Sequence, residues 1–349
     1  MKSIACDYHP SFQQIAMLDH DSGELSGRRL GNPEESAAFY RGLKGPVRVG
    51  MEAVGNTLWF ERLLAELGHE LWVGDAARIR ALAVRQQKTD ARDAAHLLEL
   101  MLQDRFPRIW VPSPAERDLR QLLLHRHKLV QMRTQVKNQL QHLALNQGVQ
   151  RKHRLWSRAG IELLEQLNLP PWTAGRRQDL LKLWRELEQA VGELDRAVEA
   201  EAEGRPECQR LMTQPGVGPV VALAMVLTLG PVERFPRGKQ VASYFGLIPR
   251  EHSSGGRQRL GSISKQGNPW VRALLVQAAH AAVRHDSELR RQYLRLAQRK
   301  NRAVATVAMA RKLAVRLYWI LRNGQGPVEV GSMSGSPSHS LAEALQPIR

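Results

Sequence analysis

Asp90 and Asp93 lie three residues apart in the run Lys88-Thr89-Asp90-Ala91-Arg92-Asp93-Ala94-Ala95-His96-Leu97, a spacing that stacks two carboxylates on one face of a helix. Like charges stacked this way repel unless a cation sits between them. Taken alone, the pair reads more plainly as the solvated first turn of a helix, with Thr89 as N-cap and acids favoured by the helix dipole. Two further acids shift the balance, because Asp7 and Glu52 each end a stretch with strand character. Four carboxylates gathered in one pocket cannot all ionise cheaply without divalent cations. Mg2+, with Mn2+ able to substitute, suits such a set: it is a hard ion that takes carboxylate oxygens and keeps places for water and phosphate. Two such ions about 4 Å apart activate an attacking oxygen and stabilise a leaving one in phosphodiester cleavage.

The elements that must position these acids follow from hydrophobic alternation. Residues 3–9 and 13–19 read as strands around a turn at Pro10-Ser11, and a weaker third strand is expected near Arg28–Leu30. A helix starts at Pro33-Glu34-Glu35 and runs to about Leu43. Val47–Glu52 is a strand, Asn56 is read as the cap of a helix through Leu67, and Glu70–Gly74 is another strand. Helical segments are expected at 76–84 and 90–103. This order, β-β-β-α-β-α-β-α, gives a mixed sheet with helices on its faces.

Beyond Trp110 and Pro112, leucines and other apolar residues recur at helical spacing over 114–146 and again over about 178–202, with 147–177 read as irregular and basic. The two helices form either an antiparallel arm or a coiled-coil dimer element, which spacing does not separate. Arg126, Arg133 and Lys137 on the first helix are candidate nucleic-acid contacts. The arm's histidines lie in a basic, polar setting and read as phosphate-facing or solvated. After Arg210, Pro215-Gly216-Val217-Gly218 turns into an apolar helix, and this turn resembles the helix-hairpin-helix element that approaches a DNA backbone through its N–H groups. An ordinary glycine turn is an equal reading at that point. A Gly- and Ser-rich basic loop follows, with Arg250, Arg257, Arg259 and Lys265, then helices at 269–284 and 303–322 and a Gly/Ser/Pro-rich tail expected to be disordered.

Composition narrows the partners. The 349 residues carry 51 Lys and Arg against 34 Asp and Glu, a net charge of +17, which favours a polyanion. No long apolar span suggests a membrane partner, and MKSIACDYHP lacks the apolar core of a secretory signal, so a cytoplasmic protein is expected. The two cysteines, Cys6 and Cys208, have no metal-ligand spacing and read as reduced core residues.

Asp7, Glu52 in Glu52-Ala53-Val54-Gly55-Asn56, and Lys88-Thr89-Asp90-x-x-Asp93-Ala94 resemble the motifs of the DEDD insertion-sequence transposases, the IS110 family. So do Pro215-Gly216-Val217-Gly218, Tyr244-Phe245-Gly246-Leu247-Ile248-Pro249-Arg250, Ser253-Ser254-Gly255 and Ile263-Ser264-Lys265-x-Gly267-Asn268; the likeness spans nearly all of residues 1–322. Ala5-Cys6 before Asp7 departs from the Gly-Ile pair common in that family. The resemblance implies an α/β plus α architecture with an RNase H/RuvC-like mixed sheet, a long helical arm and a mainly helical C-terminal domain. Its domains would be 1–112 (nuclease), 113–205 (arm, RNA binding and dimerisation), 206–323 (transposase domain with the serine loop) and 324–349 (tail). It also implies that Asp7, Glu52, Asp90 and Asp93 bind Mg2+, that Ser254, with Ser253 as the neighbouring alternative, joins covalently to DNA, and that a non-coding bridge RNA selects donor and target DNA. A homodimer or homotetramer is implied, since strand exchange cuts several strands together. Two rival expectations are a junction-resolving endonuclease that hydrolyses with water, and a non-catalytic nucleic-acid-binding protein.

Overall fold

The computed structural model describes residues 1–83, 89–150, 154–251 and 259–324. The chain divides into two compact units, Met1–Val111 and Pro112–Arg349. In the first, β1 (Lys2–His9), β2 (Phe12–Asp19) and β3 (Leu25–Gly31) form an antiparallel meander, followed by α1 (Glu34–Gly42). Then β4 (Val47–Glu52) pairs parallel with β1, and after α2 (Leu58–Glu66), β5 (Glu70–Gly74) pairs parallel with β4. The sheet order is β3-β2-β1-β4-β5, and α3 (Ala76–Leu82) and α4 (Asp90–Leu102) complete the unit.

Alternation along each strand splits the core in two. Ile4, Cys6 and Tyr8 of β1, Val49 and Met51 of β4 and Val73 of β5 pack on Tyr40 of α1 and on Phe60, Leu63 and Leu64 of α2. Their neighbours Ala5, Ala16 and Trp72 point the other way, against Ile79 of α3 and Ala94, Leu97, Leu98 and Met101 of α4. The strands and helices expected from sequence are all present, with β3 longer than anticipated. The cap of α2 is Thr57 rather than Asn56. Asn56 has φ +64° and its carbonyl accepts from Tyr8 Oη at 3.0 Å, while Trp59 Nε1 donates to that hydroxyl at 2.7 Å.

In the second unit, α5 (Pro114–Asn146) starts at a capping box between Ser113 and Glu116. The stretch read as irregular contains α6 (Arg158–Gln166) and the start of α7 (Pro171–Glu203). Pro171 begins α7 instead of breaking it, because a first-turn residue needs no intrahelical N–H bond. Arg177, buried, donates Nη1 to the carbonyls of Leu164 at 3.2 Å and Leu167 at 2.8 Å, which ties the end of α6 to α7. α5 and α7 run antiparallel: Arg126 meets Asp195, Arg133 meets Glu188 and Arg176 meets Gln139.

The rest of this unit is α8 (Pro206–Met212), α9 (Pro219–Leu229), α10 (Gly238–Tyr244), the hairpin β6 (Pro249–Glu251) and β7 (Leu260–Ile263), α11 (Pro269–His285), α12 (Ser287–Arg299) and α13 (Arg302–Asn323). α9 is apolar all round and therefore central. Its Leu223, Met225 and Leu229 pack with Leu211, Val241, Phe245, Leu275 and Leu313, and Leu123 of α5 and Val198 of α7 join the same core. Among the described residues, no helix is long and apolar enough to cross a membrane.

Asp286 joins α11, α12 and α13. Its Oδ1 caps α12 by accepting from the N–H groups of Glu288 and Leu289, each at 2.9 Å, and its Oδ2 accepts from Arg316 Nη1 at 2.6 Å. Burial opposes its ionisation, but the Leu289 N–H and the Arg316 guanidinium outweigh that, and the carboxyl pKa falls below its ordinary value. A carboxyl depressed in the folded state stabilises above its unfolded pKa, and that contribution is lost as pH falls through the folded value. Asp286→Ala is therefore expected to cost about 1–2 kcal/mol near pH 7. In urea melts, the gap from the unsubstituted protein should begin to narrow below about pH 3.9 and close as pH falls through the lower folded value.

Candidate active site

β1 carries Asp7 on the face of Ala5, and β4 carries Glu52 on the face of Gly50, since each pair is two residues apart. Ala5 pairs with Gly50 and Cys6 with Met51, so Asp7 and Glu52 stand one step beyond the last registered pair, at the C-terminal ends of adjacent parallel strands. The face they share is the one α4 covers. α4 lies close against it because the strands offer small residues: a Cβ added to Gly50 would sit 2.3 Å from Met101 Sδ.

Thr89 caps α4, its hydroxyl accepting from Arg92 N–H at 3.4 Å, and Asp90 and Asp93 occupy the first turn. Asp93 is half-buried and Asp90 exposed. Asp90, Asp93, Ala94 and Leu97 follow the helical repeat, so both acids lie on the stripe that leads onto the sheet. Gln14, the cross-strand partner of Asp7, lines a groove with Ala91 and Ala95, while Met101 overlies Gly50. The first turn of α4 is thus level with the strand ends that carry Asp7 and Glu52. The four expected acids reach one end of one sheet face from three separate elements. Among the described residues, however, no three His, Cys, Asp or Glu side chains stand close enough to hold one metal ion.

Ser254, Ser253 and Arg257 lie outside the described residues. The flanking strands β6 and β7 pair antiparallel, with Pro249 opposite Ile263 and Glu251 opposite Leu260. Arg250, Arg259 and Lys265 are exposed on this hairpin and the turn after it. Lys265 holds φ +58°, uncommon for a residue with a side chain. The base of the hairpin is pinned: Arg272 Nη1 donates to Phe245 O at 3.1 Å and to Gln266 O at 2.9 Å.

The two glycines of the Gly-Val-Gly turn differ. Gly216 has φ +82°, and a Cβ there would lie 2.4 Å from Ala278 O and 2.7 Å from Ala282 N, so packing against the backbone of α11 demands it. Gly218, at the N-terminus of α9, faces open space. On the arm, the cations singled out from sequence are engaged by α7. Arg126 pairs with Asp195 at 2.7 Å and Arg133 with Glu188 at 3.1 Å; Lys137 reaches Glu188 at 3.7 Å and lies over the Trp156 ring at 4.6 Å. Sequence reasoning missed α12, whose Arg290, Arg291, Arg295 and Arg299 are exposed and lead into exposed Lys300 and Arg302. The density of basic residues over 290–302, with no acid among them, was the available signal.

Two segments of this chain match transposase families. Residues 208–294 match the family described as "Transposase IS116/IS110/IS902 family", and residues 4–147 match a DEDD family of IS110 described as "Transposase". A Pseudomonas aeruginosa protein named "Probable family 20 transposase" is 33% identical over 330 residues, covering 92% of this chain and 96% of that one. The "Transposase for insertion sequence element IS1111A" of Coxiella burnetii is 29% identical over 348 residues, covering 95% and 92%. The "Transposase for insertion sequence element IS1328" of Yersinia enterocolitica is 28% identical over 300 residues, covering 81% and 85%. The fold and its paired motif sets thus fall in the class of DNA-recombining transposases. The chain belongs to the IS110 family.

The contrast between the two glycines is measurable. Gly216→Ala should lose more than about 2 kcal/mol of stability, from overpacking against backbone and a positive φ. Gly218→Ala should stay within about 0.5 kcal/mol. If the Gly218 N–H environment serves a DNA phosphate, the second variant will weaken duplex binding with unchanged urea unfolding.

Proposed function

We propose that this chain is the transposase of an insertion sequence, cutting and rejoining DNA with divalent metal held by Asp7, Glu52, Asp90 and Asp93 and with Ser254 as nucleophile. What supports this reading is the placement of Asp7 and Glu52 at the ends of adjacent strands on the face that α4 covers, with Asp90 and Asp93 in the first turn of that helix. The strand order β3-β2-β1-β4-β5, antiparallel on one side of β1 and parallel on the other, supports an RNase H/RuvC-like assignment for this unit.

The donor set fits the metal class. Carboxylate oxygens suit Mg2+ or Mn2+ better than Zn2+. When bound, the metal supplies Lewis-acid stabilisation of charge on the phosphate.

The chain's own residues do the remainder. Ser254 Oγ gives up its proton and attacks phosphorus; the Oγ–P bond forms, the bond to the deoxyribose oxygen breaks, and that oxygen takes up a proton as it is released as a sugar hydroxyl. The phosphodiester is conserved as a phosphoserine link, so a second strand's hydroxyl can reverse the step onto new DNA. Arg250, Arg257, Arg259 and Lys265 offset phosphate charge beside the serine. The net charge of +17 and the basic face of α12 support a large nucleic-acid partner. In this reading that partner includes donor and target DNA and a bridge RNA that chooses both. The protein acts as a homodimer or homotetramer in the bacterial or archaeal cytoplasm. Its working parts are a nuclease domain at 1–112, an arm at 113–205 and a serine domain at 206–323.

The test is a denaturing gel of protein incubated with DNA bearing the element's ends, its RNA and Mg2+. A covalent protein–DNA adduct is expected that maps to Ser254, is absent in Ser254→Ala and survives in Ser253→Ala. Asp93→Asn should lower strand cleavage on the order of 100-fold or more. Undiminished strand exchange by Ser254→Ala would leave a water-dependent nuclease. Activity indifferent to both Asp93→Asn and metal removal would leave a binding protein.

A further inference from the structure

The base of the serine hairpin adjoins a cavity that the chemistry above does not use. It has a volume of about 140 Å3 and opens among α5, α9, α10 and α11, with Arg120, Tyr244, Asn268 and Trp270 in its lining. Two of its walls are aromatic. Trp270 is backed by the His127 ring at 5.6 Å, and Tyr244 by Phe235 at 5.2 Å and Phe245 at 5.6 Å, so neither ring is loose.

The polar groups are also prepared. Trp270 Nε1 is buried and has no hydrogen-bond partner among the described residues. A buried, unpaired donor is costly and calls for an acceptor. Arg120 is held at one wall by Nε donating to Leu227 O at 3.2 Å, with Nη2 donating to the same oxygen. Burial lowers its pKa from the ordinary value, yet a guanidinium keeps its charge in a protein. The Tyr244 hydroxyl reaches Thr228 O only at 3.5 Å, too long for a strong bond.

The position is equally telling. Tyr244 and Asn268 bracket the segment that contains β6, β7 and the loop with Ser254. The two ends of that segment touch: a Cβ on Gly267 would lie 2.0 Å from Tyr244 O, and one on Gly246 would lie 2.3 Å from Gln266 O. The cavity is therefore fixed to the foot of the hairpin.

We infer that this cavity receives one nucleobase of the DNA strand, unstacked and turned out of its duplex, between Tyr244 and Trp270. The inference rests on the DNA-cutting function proposed above and adds a grip on the base at the serine hairpin. A base supplies two flat faces for the rings and edge oxygens or nitrogens that accept from Trp270 Nε1 and Arg120. A phenylalanine side chain from another protein would supply the faces but leave the indole N–H unpaired.

The test measures binding of the full-length protein to three duplexes of one sequence: fully paired, with a single unpaired thymidine, and with an abasic residue at the bulge. The thymidine bulge should bind roughly tenfold more tightly than the abasic bulge. Trp270→Phe, which keeps the ring and loses the N–H, should reduce that preference several-fold, and Tyr244→Leu should abolish it, while binding to the paired duplex is unchanged in both. A 2-aminopurine at the bulge should change fluorescence on binding to the unsubstituted protein and not to Tyr244→Leu. Equal affinity for thymidine and abasic bulges, or a preference that survives both variants, overturns the pocket and leaves the transposase reading standing. Failure to bind any of the three overturns both.

Discussion

The close seat of α4 on the sheet is the constraint on which the candidate site depends. Large side chains fill the opposite face, but under α4 and α3 the strands offer Ala5, Gly50 and Gly74. A Cβ at Gly74 would meet Ile79 Cδ1 at 2.7 Å and Phe106 Cζ at 2.8 Å, as one at Gly50 would meet Met101. Substituting these positions would push the helices outward at a cost set by overpacking, and would lift the first turn of α4 away from the strand ends. Small residues in the middle of strands weaken them locally. Here they set a distance, and that distance decides whether Asp90 and Asp93 belong to the same surface as Asp7 and Glu52.

Electrostatics acts against the packing. The apolar stripe of α4 brings acids toward acids, and each added negative charge raises the cost of the next. The helix dipole and the Thr89 cap relieve part of that cost for Asp90 and Asp93, and the strongly basic chain relieves more at long range.

What was legible in the sequence divides along the same line between local and distant interactions. Strand alternation from Lys2 to Gly74 reported the sheet, because period-two patterning is local. The start of α5 was legible in Ser113-Pro114-Ala115-Glu116, a capping box written in four residues. The stretch 147–177 misled because Pro170-Pro171 resembles a break, and only the buried Arg177 bonding to α6 carbonyls shows why a helix starts there. The pairing of Arg126, Arg133 and Lys137 depends on Asp195 and Glu188, more than fifty positions away along the chain. Gly216 was read equally as a phosphate turn and as an ordinary glycine turn, and its close approach to Ala278 and Ala282 adds a packing reason for the glycine. For the arm cations, the residues were identified and their partners lay out of view.

In the second unit, the feet of the hairpin are held in place by the core beneath them. α9 is buried on every side and anchors the core, so the helices that flank the hairpin are fixed. Arg272 then ties the two feet of the hairpin segment together through Phe245 O and Gln266 O, and Gly246 and Gly267 allow contacts closer than any side chain would permit. Order is thus concentrated at the base, where backbone carbonyls are satisfied by a cation and by tight turns. A cavity fixed to that same frame holds its geometry relative to β6 and β7, so a base held there would lie at a set position beside the two strands.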